Sequence, residues 1–149
     1  MNYEAIIQEL APCGLDCSRC QRYRGGEISR LAADLRQALG NVASIKDTMI
    51  KLNPAYEHVE GALKLLEVWS EADCPGCRNL KEPCLPTCAA QKCHKEKGVD
   101  FCGLCAEFPC ERNRYHKSLE ARWWVMGEKI RELGVETFYQ ESKKKPRYP

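Results

Sequence analysis

Long apolar runs are missing from this sequence of 149 residues. Its most apolar helical stretch, residues 63–69, is interrupted by Lys64 and Glu67, and a membrane-spanning helix needs about 20 predominantly apolar residues. No basic segment followed by an apolar one stands at the N-terminus, so nothing there resembles a secretory signal. We therefore expect no membrane span and a cytoplasmic location, where clustered cysteines are more often metal ligands or redox groups than disulfides.

The sequence also lacks a large net charge and the common catalytic motifs. The formal net charge is only +2, which is too small to predict nucleic-acid binding. The sequence contains no phosphate-binding glycine loop, no HExxH motif, no paired-carboxylate motif and no Ser–His–Asp set. Of the three histidines, only His94 lies among the cysteines, and His58 is expected on the surface. These absences disfavour an enzyme.

Cysteine is the residue that the sequence has in excess. There are eleven cysteines, and an odd number does not suit a complete disulfide framework. Three lie within residues 13–20, and the other eight lie within residues 74–110. The predicted metal ligands are all eleven: Cys13, Cys17, Cys20, Cys74, Cys77, Cys84, Cys88, Cys93, Cys102, Cys105 and Cys110.

The spacing of the downstream cysteines is typical of a metal site. Two CxxC pairs, Cys74 with Cys77 and Cys102 with Cys105, bracket the segment 74–110. A CxxC turn brings two thiolates to one ion, at Zn–S distances of about 2.3 Å. The segment shows no helix or strand period longer than a turn, and a loop of this length needs something to order it. Metal coordination would supply that order, and we expect folding to depend on it.

The upstream cysteines form a CxxxCxxC motif with Cys13, Cys17 and Cys20. Radical-SAM enzymes bind their cluster with the same spacing, but they carry it on a barrel that alternates strands and helices, and this chain is too short and lacks that alternation. A three-thiolate half-site is the better interpretation. A closed tetrahedral site has four ligands, so we expect the fourth to come from residues 84–110.

Helical periodicity accounts for the rest of the chain and predicts a mainly α protein with little or no β-sheet. Helices are predicted over residues 2–10, 27–39, 45–52, 55–71, 118–133 and 135–142. Their apolar stripes, such as Leu31 and Leu35, are interpreted as core faces.

One small helical domain is expected, with a long, loop-rich cysteine segment that metal staples together. Its parts are an N-terminal cluster with helices (1–73), the cysteine segment (74–110), C-terminal helices (111–142) and a frayed basic tail (143–149).

Several longer motifs resemble one protein family. They are APCGLDCSRC (11–20), RYRGGEISRLAADLRQALGN (22–41), CPGCR (74–78), HKEKGVDFCGLCAEFPC (94–110) and RELGVETFYQESKKKPRY (131–148). Together they make the chain similar to domain of unknown function family 3795 (DUF3795) over nearly its whole length. The resemblance implies a small cysteine-rich protein that binds metal, and it implies no activity.

Three functions remain open at this point. The first is a zinc-stapled binding or adaptor module with a protein partner, because zinc suits closed Cys₄ cages. The second is an iron–sulfur protein for electron transfer or for assisting an anaerobic enzyme, in which two [4Fe–4S] clusters would use eight cysteines. The third is an enzyme that uses thiol redox chemistry or alkyl transfer to a zinc thiolate. The sequence does not predict an oligomeric state.

Overall fold

The computed structural model describes residues 2–148 and is mainly helical. That part of the chain contains α1 (Tyr3–Glu9), α2 (Glu27–Leu39), α3 (Lys46–Leu52), α4 (Val59–Ser70), α5 (Ala90–Glu96), α6 (Lys117–Leu133) and α7 (Val135–Lys143). Short 3-10 helices cover Val42–Ile45, Pro54–His58, Cys77–Asn79 and Cys102–Leu104. Within residues 2–148, extended pairing amounts to two isolated bridges, Leu10 with Asp16 and Tyr23 with Cys74. The predicted fold class is therefore confirmed.

Helix α5 was not expected from the sequence. The prediction that residues 74–110 lack any helix longer than a turn is wrong, because Ala90–Glu96 makes about two turns. Besides Cys93, the only apolar residue in this helix is Ala90, so no hydrophobic stripe marks it. Its first turn is instead held from outside by the side chain of Asn113, which accepts from the N–H groups of Ala89 (2.9 Å) and Ala90 (3.1 Å).

The chain divides into two compact units. One contains the residues up to Ser18 together with those from Pro75 onward, and the other is Arg19–Cys74. The single-domain interpretation stays a prediction. Within residues 2–148, no helix is both long and apolar enough to cross a bilayer.

The first unit has an apolar core between α1, α6 and α7. Phe138 and Tyr139 of α7 are buried, as predicted. The members of this core are Ile6, Leu10, Phe101, Ile130, Val135, Phe138 and Tyr139. A second buried cluster lies among the cysteines and contains Ala11, Cys13, Cys77, Ala90, Phe108 and Trp123. Each cluster contains a residue of α6, Ile130 in the first and Trp123 in the second. Helix α6 therefore connects the helical core to the cysteine segment.

The second unit packs α2 against α4 with little burial. Ser29 and Ala32 of α2 are its buried helical side chains, and Arg36 donates to Ser70 Oγ at 2.7 Å. The prediction that Leu31 and Leu35 belong to a core face is wrong, since they are 59% and 47% exposed. The reason is that α2 meets α4 through its polar and small side chains rather than through its leucine stripe.

The basic tail is anchored rather than frayed at two positions. Lys143 lies 2.9 Å from Glu9 Oε2 and 3.1 Å from Asp16 Oδ2. The guanidinium Nε of Arg147 donates to the carbonyl of Asp16 at 3.0 Å. The expectation of a solvated terminus is therefore wrong for these two residues, because they bind the turn between Cys13 and Cys17.

Candidate metal centre

Four cysteines of the downstream segment line one small cavity. They are Cys93, Cys102, Cys105 and Cys110, and the cavity has a volume of about 20 Å³. A cavity that holds one water molecule needs roughly 10–15 Å³ on the same measure. The space is therefore of single-atom size, and its wall is rich in sulfur.

Two short elements and the loop after them carry these four thiols. Cys93 lies in the last turn of α5, and Cys102 is the first residue of the 3-10 helix Cys102–Leu104. Cys105 follows that 3-10 helix, and Cys110 lies in the loop beyond it. We call the residues Cys102–Cys105 the knuckle. The guanidinium of Arg131 donates to the carbonyl oxygens of Gly103 and Cys105, the latter at 2.8 Å. Arg131 therefore fixes the knuckle backbone from α6.

Two glycines let α6 approach the knuckle closely. A Cβ atom at Gly103 would lie only 2.5 Å from the carbonyl oxygen of Gly127 in α6. A Cβ atom at Gly127 would overlap the ring of Phe108, which packs edge-on against Trp123 at 4.8 Å between ring centroids. Backbone-to-backbone contact of this kind admits only glycine.

Donor groups surround the cavity sulfurs. Arg112 Nη1 donates to Cys93 Sγ at 3.4 Å. Burial raises the pKa of Cys102 to about 11, against a smaller opposing effect of the Trp123 indole N–H. That indole nitrogen is buried and forms no hydrogen bond of good geometry in the described part of the chain. We take it as a weak donor to Cys102. Donors of this kind stabilise a thiolate more than a neutral thiol.

His94 also lines the cavity. Its Nδ1 lies 3.2 Å from the carbonyl oxygen of Val99 and 3.3 Å from Arg78 Nη1. Its Nε2 is buried and has no hydrogen-bond partner among residues 2–148. Burial and the positive charge of Arg78 both lower the pKa of His94, so the ring is neutral at neutral pH. The sequence had singled out this histidine as the one beside the cysteines.

The donor set is right for a metal, although the side chains do not yet converge. Within the described residues, no three Cys, His, Asp or Glu side chains are placed to hold an ion as they stand. Four thiols and a buried imidazole nitrogen around a space of about 20 Å³ nevertheless make a soft donor set of the type that zinc binds. The four sulfurs would have to move closer together to reach one ion.

A second group of cysteines lies in the same unit. Cys13 and Cys77 are buried, and Cys17 and Cys88 pack against the same cluster. Burial, with smaller contributions from the neighbouring charges of Cys17 and Cys88, raises the pKa of Cys77 to about 12. Burial also raises the pKa of Cys13 well above its usual range, and Cys88, Cys77 and Cys102 add to the effect. The upstream motif and the downstream segment therefore meet at these four thiols.

Two of the predicted ligands lie in the other unit. Cys20 and Cys74 belong to Arg19–Cys74, in which Cys74 N–H donates to the Arg22 carbonyl at 2.9 Å and Arg24 N–H donates back at 2.9 Å. Among the eleven cysteines, Cys84 is the only exposed one. That Cys13, Cys17 and Cys20 share one ion stays a prediction.

Four supporting residues were missed by the sequence argument, which ended at the last cysteine. Arg112, Asn113 and Tyr115 follow Cys110 within five positions, and Trp123 was interpreted only as part of a core stripe. The clustering of hydrogen-bonding side chains just after Cys110 could have indicated the first three. Nothing in a helical stripe could have indicated that Trp123 packs against Phe108 and Tyr115 beside the thiols.

Comparison with known proteins gives one match. The profile of a family described as a protein of unknown function (DUF3795) matches residues 9–115. No curated protein and no solved structure matches the chain.

Proposed function

The chain is a member of the DUF3795 family of proteins of unknown function, and because membership brings no activity with it, we propose from the cysteine cavity that the protein is a zinc-stapled binding module. The zinc ligands are Cys93, Cys102, Cys105 and Cys110. The single observation that carries this proposal is that these four cysteines line one small cavity of about 20 Å³.

The surroundings of the cavity support a structural site more than a reactive one. Arg112 donates to Cys93, Arg131 holds the knuckle backbone, and Asn113 caps the helix that carries Cys93. Such outer contacts orient metal ligands and stabilise their charge. Four protein ligands leave no open coordination position, and structural zinc sites are closed in this way while catalytic sites keep one position open.

The size of the cavity favours one ion over an iron–sulfur cluster. A [4Fe–4S] cluster contains eight atoms between its four cysteines, whereas the enclosed part of this cavity measures about 20 Å³. Zinc also needs no redox partner and accepts four thiolates in tetrahedral geometry. These points favour a zinc protein over an electron carrier.

The module would bind a protein partner through the surface next to the knuckle. Leu104, inside the knuckle, is 46% exposed, and Trp124 of α6 is 53% exposed. Trp124 lies two turns before Arg131, on the side of α6 that holds the knuckle. Exposed tryptophan on a rigid support is a typical anchor of protein interfaces, and Leu104 adds apolar surface to the knuckle. Zinc would supply that rigidity.

The experiment is ¹¹³Cd NMR on protein purified under reducing conditions and loaded with cadmium in place of zinc. We expect one resonance in the range of four-sulfur coordination that disappears in Cys105→Ser and in Cys110→Ser. Zinc analysis of the untreated protein should show the same loss of one equivalent per chain.

Cys84→Ser is the matched control, because Cys84 does not line the cavity. It should leave that resonance in place. Iron with visible absorbance in protein purified without oxygen would contradict zinc as the native metal. A full complement of four-sulfur resonances in Cys105→Ser would contradict the proposed ligands.

A further inference from the structure

Four cysteines outside that cavity lie in or against one buried cluster, and Cys13 is one of them. Cys13 and Cys77 are 8% and 7% exposed. Cys17 and Cys88 pack against the same buried cluster, as do Cys102, Cys105 and Cys110 of the cavity. Cys13 and Cys17 come from the upstream motif, whereas Cys77 and Cys88 come from the downstream segment. All four belong to one compact unit, and none of them lines the cavity described above.

Hydrogen-bonding groups reach three of these four sulfurs. The backbone N–H of Cys77 donates to Cys17 Sγ at 3.5 Å. A backbone hydrogen bond from Leu15 reaches the sulfur of Cys13. The hydroxyl of Tyr115 lies 3.0 Å from Cys88 Sγ. Backbone N–H groups directed at sulfur are a regular feature of turns that hold thiolates around a metal, because they offset part of the negative charge.

Ordinary core cysteines would not need this arrangement. A buried cysteine without a ligand behaves as a small hydrophobic residue with a weak S–H donor. Hydrogen-bonding groups on three neighbouring sulfurs, two of them backbone N–H donors, are instead suited to negative charge. Buried negative charge needs a compensating cation. Arg78, the nearest guanidinium in sequence, is occupied by the carbonyl oxygens of Leu10 and Asp100 at 3.0 and 2.6 Å.

We propose that Cys13, Cys17, Cys77 and Cys88 form a second zinc site, which fastens the N-terminal turn to the downstream cysteine segment. Tyr115 is a positioning residue of this site, since its hydroxyl lies 3.0 Å from Cys88 Sγ and can donate to a thiolate there. The proposal rests on the proposed function, because it assumes that the chain takes up zinc. Its ligand set is separate from that of the cavity, so the two can fail independently.

Cadmium NMR also tests this second site. We expect a second four-sulfur resonance, which disappears in Cys88→Ser while the resonance that depends on Cys105 remains. Cys84→Ser is again the matched control, because it removes an exposed cysteine four residues away. Loss of the second resonance in Cys84→Ser, or its survival in Cys88→Ser, would overturn the proposed ligand set.

Tyr115→Phe tests the site without removing a ligand, so it guards against a cysteine variant that fails to fold. The ring and its edge-on contact with Trp123, at 5.9 Å between centroids, are kept. Only the hydrogen bond to Cys88 is lost. We expect the second resonance to shift and the affinity for cadmium, measured by chelator competition, to fall about tenfold at this site.

The pattern of results separates the two proposals. One resonance that depends on Cys105, with no second one, overturns the second site and leaves the proposed function standing. A resonance that depends on Cys88, with none that depends on Cys105, overturns the proposed ligands of the cavity and leaves the second site standing. Unchanged shift and affinity in Tyr115→Phe would overturn the role of that tyrosine as a positioning residue.

Discussion

Gly127 sets the distance between helix α6 and the knuckle. Its missing side chain is the space that the ring of Phe108 occupies, and its carbonyl faces Gly103. Phe108 in turn packs on Trp123 and under the guanidinium of Arg131, which lies 5.0 Å from the ring centroid. A single hydrogen atom in place of a methyl group therefore determines whether the cavity wall can form.

Gly127→Ala should destabilise the protein. Overpacking costs about 1–3 kcal/mol, against a gain of up to about 1 kcal/mol from the higher helix propensity of alanine. We expect a net loss of about 1–2 kcal/mol in the free energy of unfolding, measured by urea denaturation. Gly61→Ala is the control, since Gly61 is also inside a helix but has no atom within 4 Å of its Cβ position. Equal stability changes in the two variants would contradict the close packing.

Zinc binding should depend on pH through its thiols. The pKa of Cys102 is raised to about 11 by burial, so this ligand carries a proton at neutral pH when no metal is bound. Binding expels that proton, and the affinity for zinc therefore rises with pH throughout the neutral range. Calorimetry in two buffers of different ionisation enthalpy measures the number of protons released. An affinity that stays constant between about pH 6 and 8 would contradict thiol ligation.

Helix α5 depends on a residue far from it in sequence. It has seven residues, and Ala89, the residue just before it, provides no side-chain cap. Asn113, which is buried, supplies the missing acceptor for two N–H groups. The position of Cys93 in the last turn of α5 follows from this contact. An element that is too short to be stable alone is thus held in place by its tertiary contacts.

Asn113→Ala should loosen α5 and with it the cavity. We expect a loss of about 2–3 kcal/mol, because the cap disappears and two amide groups lose their acceptor. Asn113→Asp keeps an acceptor oxygen at the helix N-terminus and should lose less than half as much. Urea denaturation measures both losses, and hydrogen exchange at residues 90–96 locates the effect. Equal losses in the two variants would mean that Asn113 acts by packing rather than as a cap.

At the scale of the whole molecule, the two units differ in how they are held. The first has an apolar core with Ile6, Phe101 and Ile130 almost fully buried. The second buries only Ser29 and Ala32 within its helices and leaves several leucines exposed. Regions with few buried apolar side chains open at a lower free energy than a packed core.

Chelation under reducing conditions should disorder residues 84–110 while the helical core of α1, α6 and α7 partly persists. Structural zinc contributes roughly 10–16 kcal/mol in small peptides, whereas the core helices have apolar burial of their own. Hydrogen exchange should become fast in residues 84–110 and stay slow at Ile130 and Phe138. Unchanged exchange and unchanged near-UV circular dichroism after complete removal of metal would contradict metal-dependent folding.

The sequence by itself determined most of the helices, although not α5, and the cysteine-rich character of the chain. The periodic apolar residues of α6 and α7 predicted Trp123, Ile130, Phe138 and Tyr139 as buried, and all four are. The CxxC spacing is local and can be recognised without a fold, because two residues between the cysteines are enough to bring both thiols to one ion. The fold class could be predicted in the same way, because helical periodicity is also a local property of the sequence.

The tertiary structure alone decided which cysteines meet. Cys13 lies 64 residues before Cys77 in the sequence, and nothing in either motif predicts that both enter one buried cluster. The exposure of Leu31 and Leu35 was equally unpredictable, since an apolar stripe does not tell which neighbour, if any, covers it. Pairing over long separations depends on how α6 packs against the knuckle, and that packing depends on contacts such as Gly103 with Gly127, which no local pattern encodes.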